Sequence, residues 1–254
     1  MRALYTLLFL SVLTVQSNAD EISIRADAWY PINGQPNSDK QGYMIDLANS
    51  VFALYGHTVD YDVAPWKRAL LEVEQGIHDC VVGAYVKDAP DFTFPKHHWG
   101  LVNTGVYVLS DDPFIFTSVA SLKNRQVGII TGYAYSSDEI NHHINTSSNI
   151  YKAVSGKNPL QSNIKKLQHE RIDTIIENPL VMAAKLKSLN ISNKIKLAGT
   201  VGKQSPIYIA CTPDSKRAKE IIHMIDEGTK KLRGSGEFDK ILQKYGLTDW
   251  QKSH

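Results

Sequence analysis

Residues 58–85 read TVDYDVAPWKRALLEVEQGIHDCVVGAY, and this stretch decides the fold. Thr58 to Val63 carries an alternating, strand-like pattern. Pro65 then opens a helix, because a fixed φ and a missing N–H suit the first helical turn. Ala69, Leu70 and Val73 recur on one face of that helix, and Gly76 stops it. Asp79 to Tyr85 is flat and apolar, as expected of a strand covered on both faces. A strand, a short helix and a second strand in so little chain predict a right-handed crossover in a parallel sheet, with helices on its faces.

The same grammar extends in both directions. Upstream, Ile22 to Ala26 reads as a strand and Trp29 to Gln41 as a loop rich in Pro, Asn, Gly and Ser. Met44, Leu47, Ala48, Val51, Phe52 and Leu54 then fall at helical spacing before Gly56. Downstream, Gly105 to Leu109 is a strand, followed by a linker from Ser110 to about Ser118. A second α/β unit is expected next. Its strands are Gln126 to Ile130, Ile172 to Ile176 and Lys194 to Ala198. Its helices are Tyr133 to Ile144, Pro159 to His169 and Pro179 to Leu189. The chain closes with a strand at Ile207 to Cys211, an amphipathic helix carrying Ala218, Ile221, Ile222, Ile225 and Leu232, and a short helix from Glu237 to Tyr245. The order is half a domain, a complete second domain, then a return to the first. No short-period repeat is present.

Bulk properties narrow the function classes. The apolar fraction of 43% and charged fraction of 21% are those of a globular protein. A net charge of +2, with no basic stripe, does not imply nucleic acid. Met1-Arg2, the apolar run Ala3 to Val15 and Ser17-Asn18-Ala19 have the layout of a secretory signal peptide cut after Ala19. That places the mature chain in the periplasm. The two cysteines, Cys80 and Cys211, lie in apolar runs, and two buried free thiols are expected rather than a bridge. The histidine pairs His97-His98 and His142-His143 cannot each converge on one ion, so they read as exposed polar residues. No metal, cofactor, nucleophile elbow or phosphate loop is indicated.

Five segments carry a family resemblance. Gly42-Tyr43-Met44-Ile45-Asp46-Leu47 resembles the Gly-Phe-Asp-Val-Asp-Leu signature of family 3 extracellular solute-binding proteins, the amino-acid-binding type of periplasmic receptor. Glu74 to Gly83, Ser121 to Ile129, His169 to Glu177 and Gly236 to Gly246 are similar to later segments of that family, in order. The resemblance implies an α/β two-lobe periplasmic-binding-protein fold of type II, with two crossing strands as hinge. Lobe 1 would be 20–109 plus 207–254 and lobe 2 112–200, with crossings near 109–112 and 200–206. It implies capture of a small polar solute, an amino acid or related zwitterion or amine, by cleft closure. A monomer would hand the solute to a membrane ABC permease or present it to a sensor protein. The same fold also hosts dehydratases acting on prephenate-like or arogenate-like acids, which is the alternative.

Ligands of open parallel sheets sit beyond the carboxyl ends of the strands. Those ends deliver Trp29 and Tyr30, then Trp66 and Arg68, then Tyr85, and in the second unit Thr131, Tyr133, Tyr135 and Glu177. Trp29 and Trp66 are candidate walls of a slot, with core packing as the alternative. Arg68 could grip a carboxylate through two parallel bonds, or sit on a solvated helix face. Glu177 matches the family's acid for a ligand amino group, or caps the Pro179 helix. The family's usual carboxylate-binding arginine after the third strand is missing from Tyr85 to Pro95. Either Arg68 or Lys87 takes that role, or the ligand has no carboxylate there.

Overall fold

A computed structural model describes residues 19–251. The signal-peptide segment lies outside the described residues, apart from Ala19. Eight strands and seven helices follow in the order β1 (Glu21–Ala26), α1 (Tyr43–Ala53), β2 (Thr58–Val63), α2 (Trp66–Glu74), β3 (Cys80–Ala84), β4 (Gly100–Leu109), β5 (Val127–Ile130), α3 (Asp138–Thr146), β6 (Tyr151–Val154), α4 (Pro159–Gln168), β7 (Thr174–Glu177), α5 (Pro179–Ser188), β8 (Ile195–Cys211), α6 (Lys216–Ser235) and α7 (Glu237–Lys244).

The strands run in the order β2-β1-β3-β8-β4-β7-β5-β6. β1, β2 and β3 are parallel to one another, as are β5, β6 and β7. Between these two parallel groups lies the antiparallel pair of β4 and β8. The C-terminal end of β8 pairs with β3, and the C-terminal half of β4 pairs with β7. Two lobes are therefore joined by two long strands. The first lobe buries Ile22, Ile24, Val51, Phe52 and Val82 under α1 and α6, and the second buries Val127, Ile140 and Ile176.

Several expectations are corrected here. Lys194 to Ala198 and Ile207 to Cys211 are the two ends of one 17-residue strand, β8. Its middle is polar and carries Pro206, which cannot donate to a ladder, so composition alone reads it as a linker. At this crossing the β4–β8 register shifts between Val102 and Thr104 and again between Val106 and Tyr107. Gly202 holds a φ of +65°, and a Cβ there would stand 3.0 Å from the Ser137 Cβ. Residues 133–137 are loop, and α3 starts only at Asp138. The strand β6, with two exposed central residues, escapes the apolar-run criterion.

Cys80 and Cys211 form a disulfide, against the expectation of free thiols. The reason is topological: β8 returns antiparallel beside β3 with Cys80 directly opposite Cys211. That adjacency is set by the chain's return from the second lobe, which no local pattern encodes. Three of the four paired histidines are half-buried rather than exposed, and His98 stacks on Trp250 at 5.5 Å between ring centroids.

Candidate functional site

The cleft between the lobes is built from strand ends. From the first lobe, β1 delivers Asp27 and Trp29, β3 ends in Gly83 and Ala84 and leads to Tyr85, and a short 3-10 turn at Val86–Asp88 presents Asp88. From the second lobe, the loop after β5 brings Tyr133, Ala134 and Tyr135, and β7 ends in Glu177. Trp66, the first residue of α2, closes one side. These walls enclose a narrow cavity of about 20 Å³, room for about one water between the lobes as they stand.

Local structure explains each placement. The loop after β1 is tied by Trp29 N–H to the Asn33 carbonyl at 2.6 Å. It packs over Gly83, whose φ of +86° and missing side chain leave room for the Trp29 ring and Asn33. Asn178 caps α5, accepting from the Leu180 and Val181 N–H groups. Glu177 is thereby released from a capping role and turns into the cleft at 2% exposure.

Polar contacts cross from lobe to lobe. The Trp29 indole donates to Glu177 Oε1 at 2.8 Å, and the Asn178 N–H donates to the same oxygen at 2.7 Å. The Tyr133 hydroxyl donates to Asp27 Oδ2. Asp88 accepts the Ala134 N–H on Oδ1 at 3.0 Å and the Tyr85 N–H on Oδ2 at 2.8 Å. Outside the cavity, Lys87 pairs with Asp138. The Trp29 and Tyr133 rings meet edge to face with centroids 6.4 Å apart, and Tyr135 lies tilted against Tyr133 at 6.3 Å.

Burial raises all three acids. Asp27 is pushed up to about 6, opposed by the Tyr133 hydrogen bond. Asp88 is pushed up to about 7, against the Tyr85 and Ala134 donors and with the Trp66 side chain also favouring the charged form. Glu177 is likewise raised to about 7 by burial, opposed by Trp29 and the Asn178 N–H. The Asp27 charge adds to the rise at both other acids. Such a cluster favours a proton or a cation among the three carboxylates.

Of the sequence-derived candidates, Trp29, Trp66, Tyr85, Tyr133, Tyr135 and Glu177 converge on this cavity. Tyr30 is 39% exposed, lies against Tyr245 and borders an outer hollow. Thr131 is exposed on a side hollow with Lys67. Arg68 is not brought to the cleft: its side chain is 70% exposed and pairs with Glu72 one turn on. Trp66, Ala69 and Val73 take the inner face of α2, and Arg68 stands about 200° round from Trp66 at 3.6 residues per turn. Asp27 and Asp88 join the convergent residues: Asp27 stands at the same strand end that delivers Trp29, and Asp88 lies in the segment after β3 that lacks the family's arginine. Thr104 and Asn103, on β4, also line the cavity and carried no sequence signal.

Residues 22–248 match the family described as bacterial extracellular solute-binding proteins, family 3. A probable histidine-binding protein of Neisseria gonorrhoeae is 21% identical over 217 residues, 81% of this chain and 74% of that protein. Among solved structures, a histidine kinase sensor domain with similarity to periplasmic binding proteins superposes with a TM-score of 0.74 at 17% identity, covering 90% of this chain and 98% of that one. A substrate-binding protein of an ABC uptake transporter from Streptococcus pneumoniae, with bound histidine, gives 0.73 at 17% identity, covering 89% and 92%. These two likenesses fix the fold.

Proposed function

The chain belongs to the bacterial extracellular solute-binding proteins of family 3, and from that premise we propose that it is a periplasmic receptor that closes two lobes on one small solute bearing a positively charged nitrogen. The observation that carries this reading is the cleft itself, where Trp29 of one lobe meets Glu177 of the other at 2.8 Å beside the buried Asp27 and the half-buried Asp88. Charged partners in a closed cleft avoid an unpaired buried charge, and aromatic faces attract cations. Glu177 takes the solute's nitrogen, and Trp29, Trp66, Tyr85, Tyr133 and Tyr135 form the walls. Tyr30 and Thr131 serve the rim, and Arg68 has no part in the site.

The lobes are 20–109 plus 207–254 and 112–200, with the hinge at 109–112 and 200–206. A few residues there absorb the rotation, and contacts from both lobes favour the closed state. The receptor is a monomer, and its closed form is what a membrane partner reads. Its relatives suggest two kinds of partner, since one similar structure is a transporter's binding protein and another a kinase sensor domain. The segment before Asp20 is its signal peptide.

A thermal-shift screen against amino acids, amines, sugars and organic acids tests the reading. A ligand at 100 times its dissociation constant adds about 2.7 kcal/mol of stability. No shift with any nitrogen-bearing cation, or turnover of prephenate or arogenate by the pure protein, would overthrow it.

A further inference from the structure

The charge inventory of the central cavity is one-sided. Asp27, Asp88 and Glu177 line it, and none of its lining residues is Lys, Arg or His. The cations nearby stand outside its walls. Arg68 pairs with Glu72, Lys87 pairs with Asp138, and Lys67 lies on a side hollow, its stem over Gly132. Lys157 and Lys185 border the outer hollow, which Trp29 and Glu177 line from the cleft side. A zwitterion would bring its carboxylate into a space with three acids and no cation to pair with it, which is costly for a buried charge.

The acids are not equivalent. Both oxygens of Asp88 are taken by backbone N–H groups, one from each lobe. The two donors on Glu177 both fall on Oε1, and the Tyr133 hydroxyl falls on Oδ2 of Asp27. Glu177 and Asp27 thus each present a second oxygen to a guest, while Asp88 supplies field. The aromatic rings of Trp29, Trp66 and Tyr85 line the same space, and aromatic rings attract cations.

Building on the receptor reading above, we propose that the guest is a small aliphatic dication, an amine or guanidine with two positive nitrogens and no carboxylate, held between Glu177 and Asp27. A dication supplies the two positive charges that these two acids lack. The raised affinity of all three acids for protons fits the same deficit.

Matched pairs that differ only in a carboxyl group test the class: agmatine against arginine and cadaverine against lysine, titrated calorimetrically into the purified full chain at pH 7.5. At least one amine is expected to bind tenfold or more tighter than its parent amino acid. Asp27→Asn should weaken that amine at least tenfold, with folding checked by circular dichroism. Glu177→Gln serves as a second variant if the first does not fold. If a parent amino acid binds as tightly as its amine or more so, the dication class is wrong and the receptor reading stands. If neither member of either pair binds, the dication class is equally wrong. The receptor reading is then decided by the broader thermal-shift screen.

Discussion

In the proposed receptor, Glu177 serves binding at a cost in stability. Its carboxyl is raised from 4.5 to about 7 because burial penalises the charge. Whatever it contributes to folding is therefore fully present below about pH 4.5 and is lost as pH rises through about 7. The titratable groups facing it are Asp27, Tyr85, Tyr107, Tyr133 and Tyr135, and burial holds those tyrosines neutral above the usual phenol range. Glu177→Gln keeps the acceptor for Trp29 and Asn178 while removing the charge. It should raise unfolding free energy at pH 8 by about 1–3 kcal/mol and flatten the stability profile between pH 4.5 and 7. Solute affinity should drop at least tenfold. Denaturant melts at several pH values and calorimetry check both, and a variant less stable than the parent at pH 8 would contradict the assignment. Trp29 and Glu177 were legible in sequence because each follows a strand end, which puts a side chain in the crevice whatever its type. Arg68 was misjudged because it stands five residues past the end of β2, and two helical steps beyond Trp66 have turned it to solvent. Asp88 reaches the cavity through a three-residue 3-10 turn, which has no periodicity to read.

At the scale of elements, the two crossing strands join the lobes, and the disulfide ties the returning chain to β3 within the first lobe. The parallel βα units of both lobes were legible because apolar runs, Pro at helix starts and Gly at helix ends repeat along the chain. β8 was not, since its polar middle pairs with β4 rather than with a local neighbour. The bond between Cys80 and Cys211 closes a loop of 131 residues and ties the end of β8 to β3. Chain-entropy estimates for a loop that long give roughly 5 kcal/mol, against measured values of about 2–4. A Cys80→Ala/Cys211→Ala pair should lose about 2–5 kcal/mol in urea melts, and reduction of the parent should reproduce the loss. A loss below 1 kcal/mol would mean the β3–β8 register holds without the covalent tie. Gly202 probes the other crossing. Its φ of +65° and the approach of Ser137 leave no easy place for a branched side chain. Gly202→Val should destabilise the protein by about 1–3 kcal/mol, and a neutral substitution would show that the crossing backbone relaxes freely.

For the whole molecule, the acids in the cleft make closure and protonation one equilibrium. Closing buries Asp27, Asp88 and Glu177 among aromatic rings. Burial holds their proton affinities at about 6, 7 and 7, and in an open, hydrated cleft they should fall back toward the ordinary carboxylate range. A state with raised values takes up protons as it forms. Closure of the bare cleft is thus favoured in acid and loses that support as pH rises through 6 to 7. The groups that face these acids do not reverse the sign. Tyr61, Tyr85, Tyr133 and Tyr135 stay neutral, and Lys67 and Lys87 lie outside the cavity walls. A cationic solute replaces the protons, so it should restore closure at pH 8 and release protons less as pH rises further. Small-angle scattering reads this directly. The radius of gyration should be roughly 17 Å for a compact chain of this length. It should rise by on the order of 1 Å on opening, from pH 5.5 to pH 8 without solute, and fall back when a saturating cationic solute is added. Tyr133→Phe removes the hydroxyl that bridges to Asp27 across the lobes, so its opening should begin at lower pH than in the parent. A radius that ignores pH over this range, or that shrinks as the acids ionise, would separate closure from the charge of the cleft and leave the three carboxylates without a part in it.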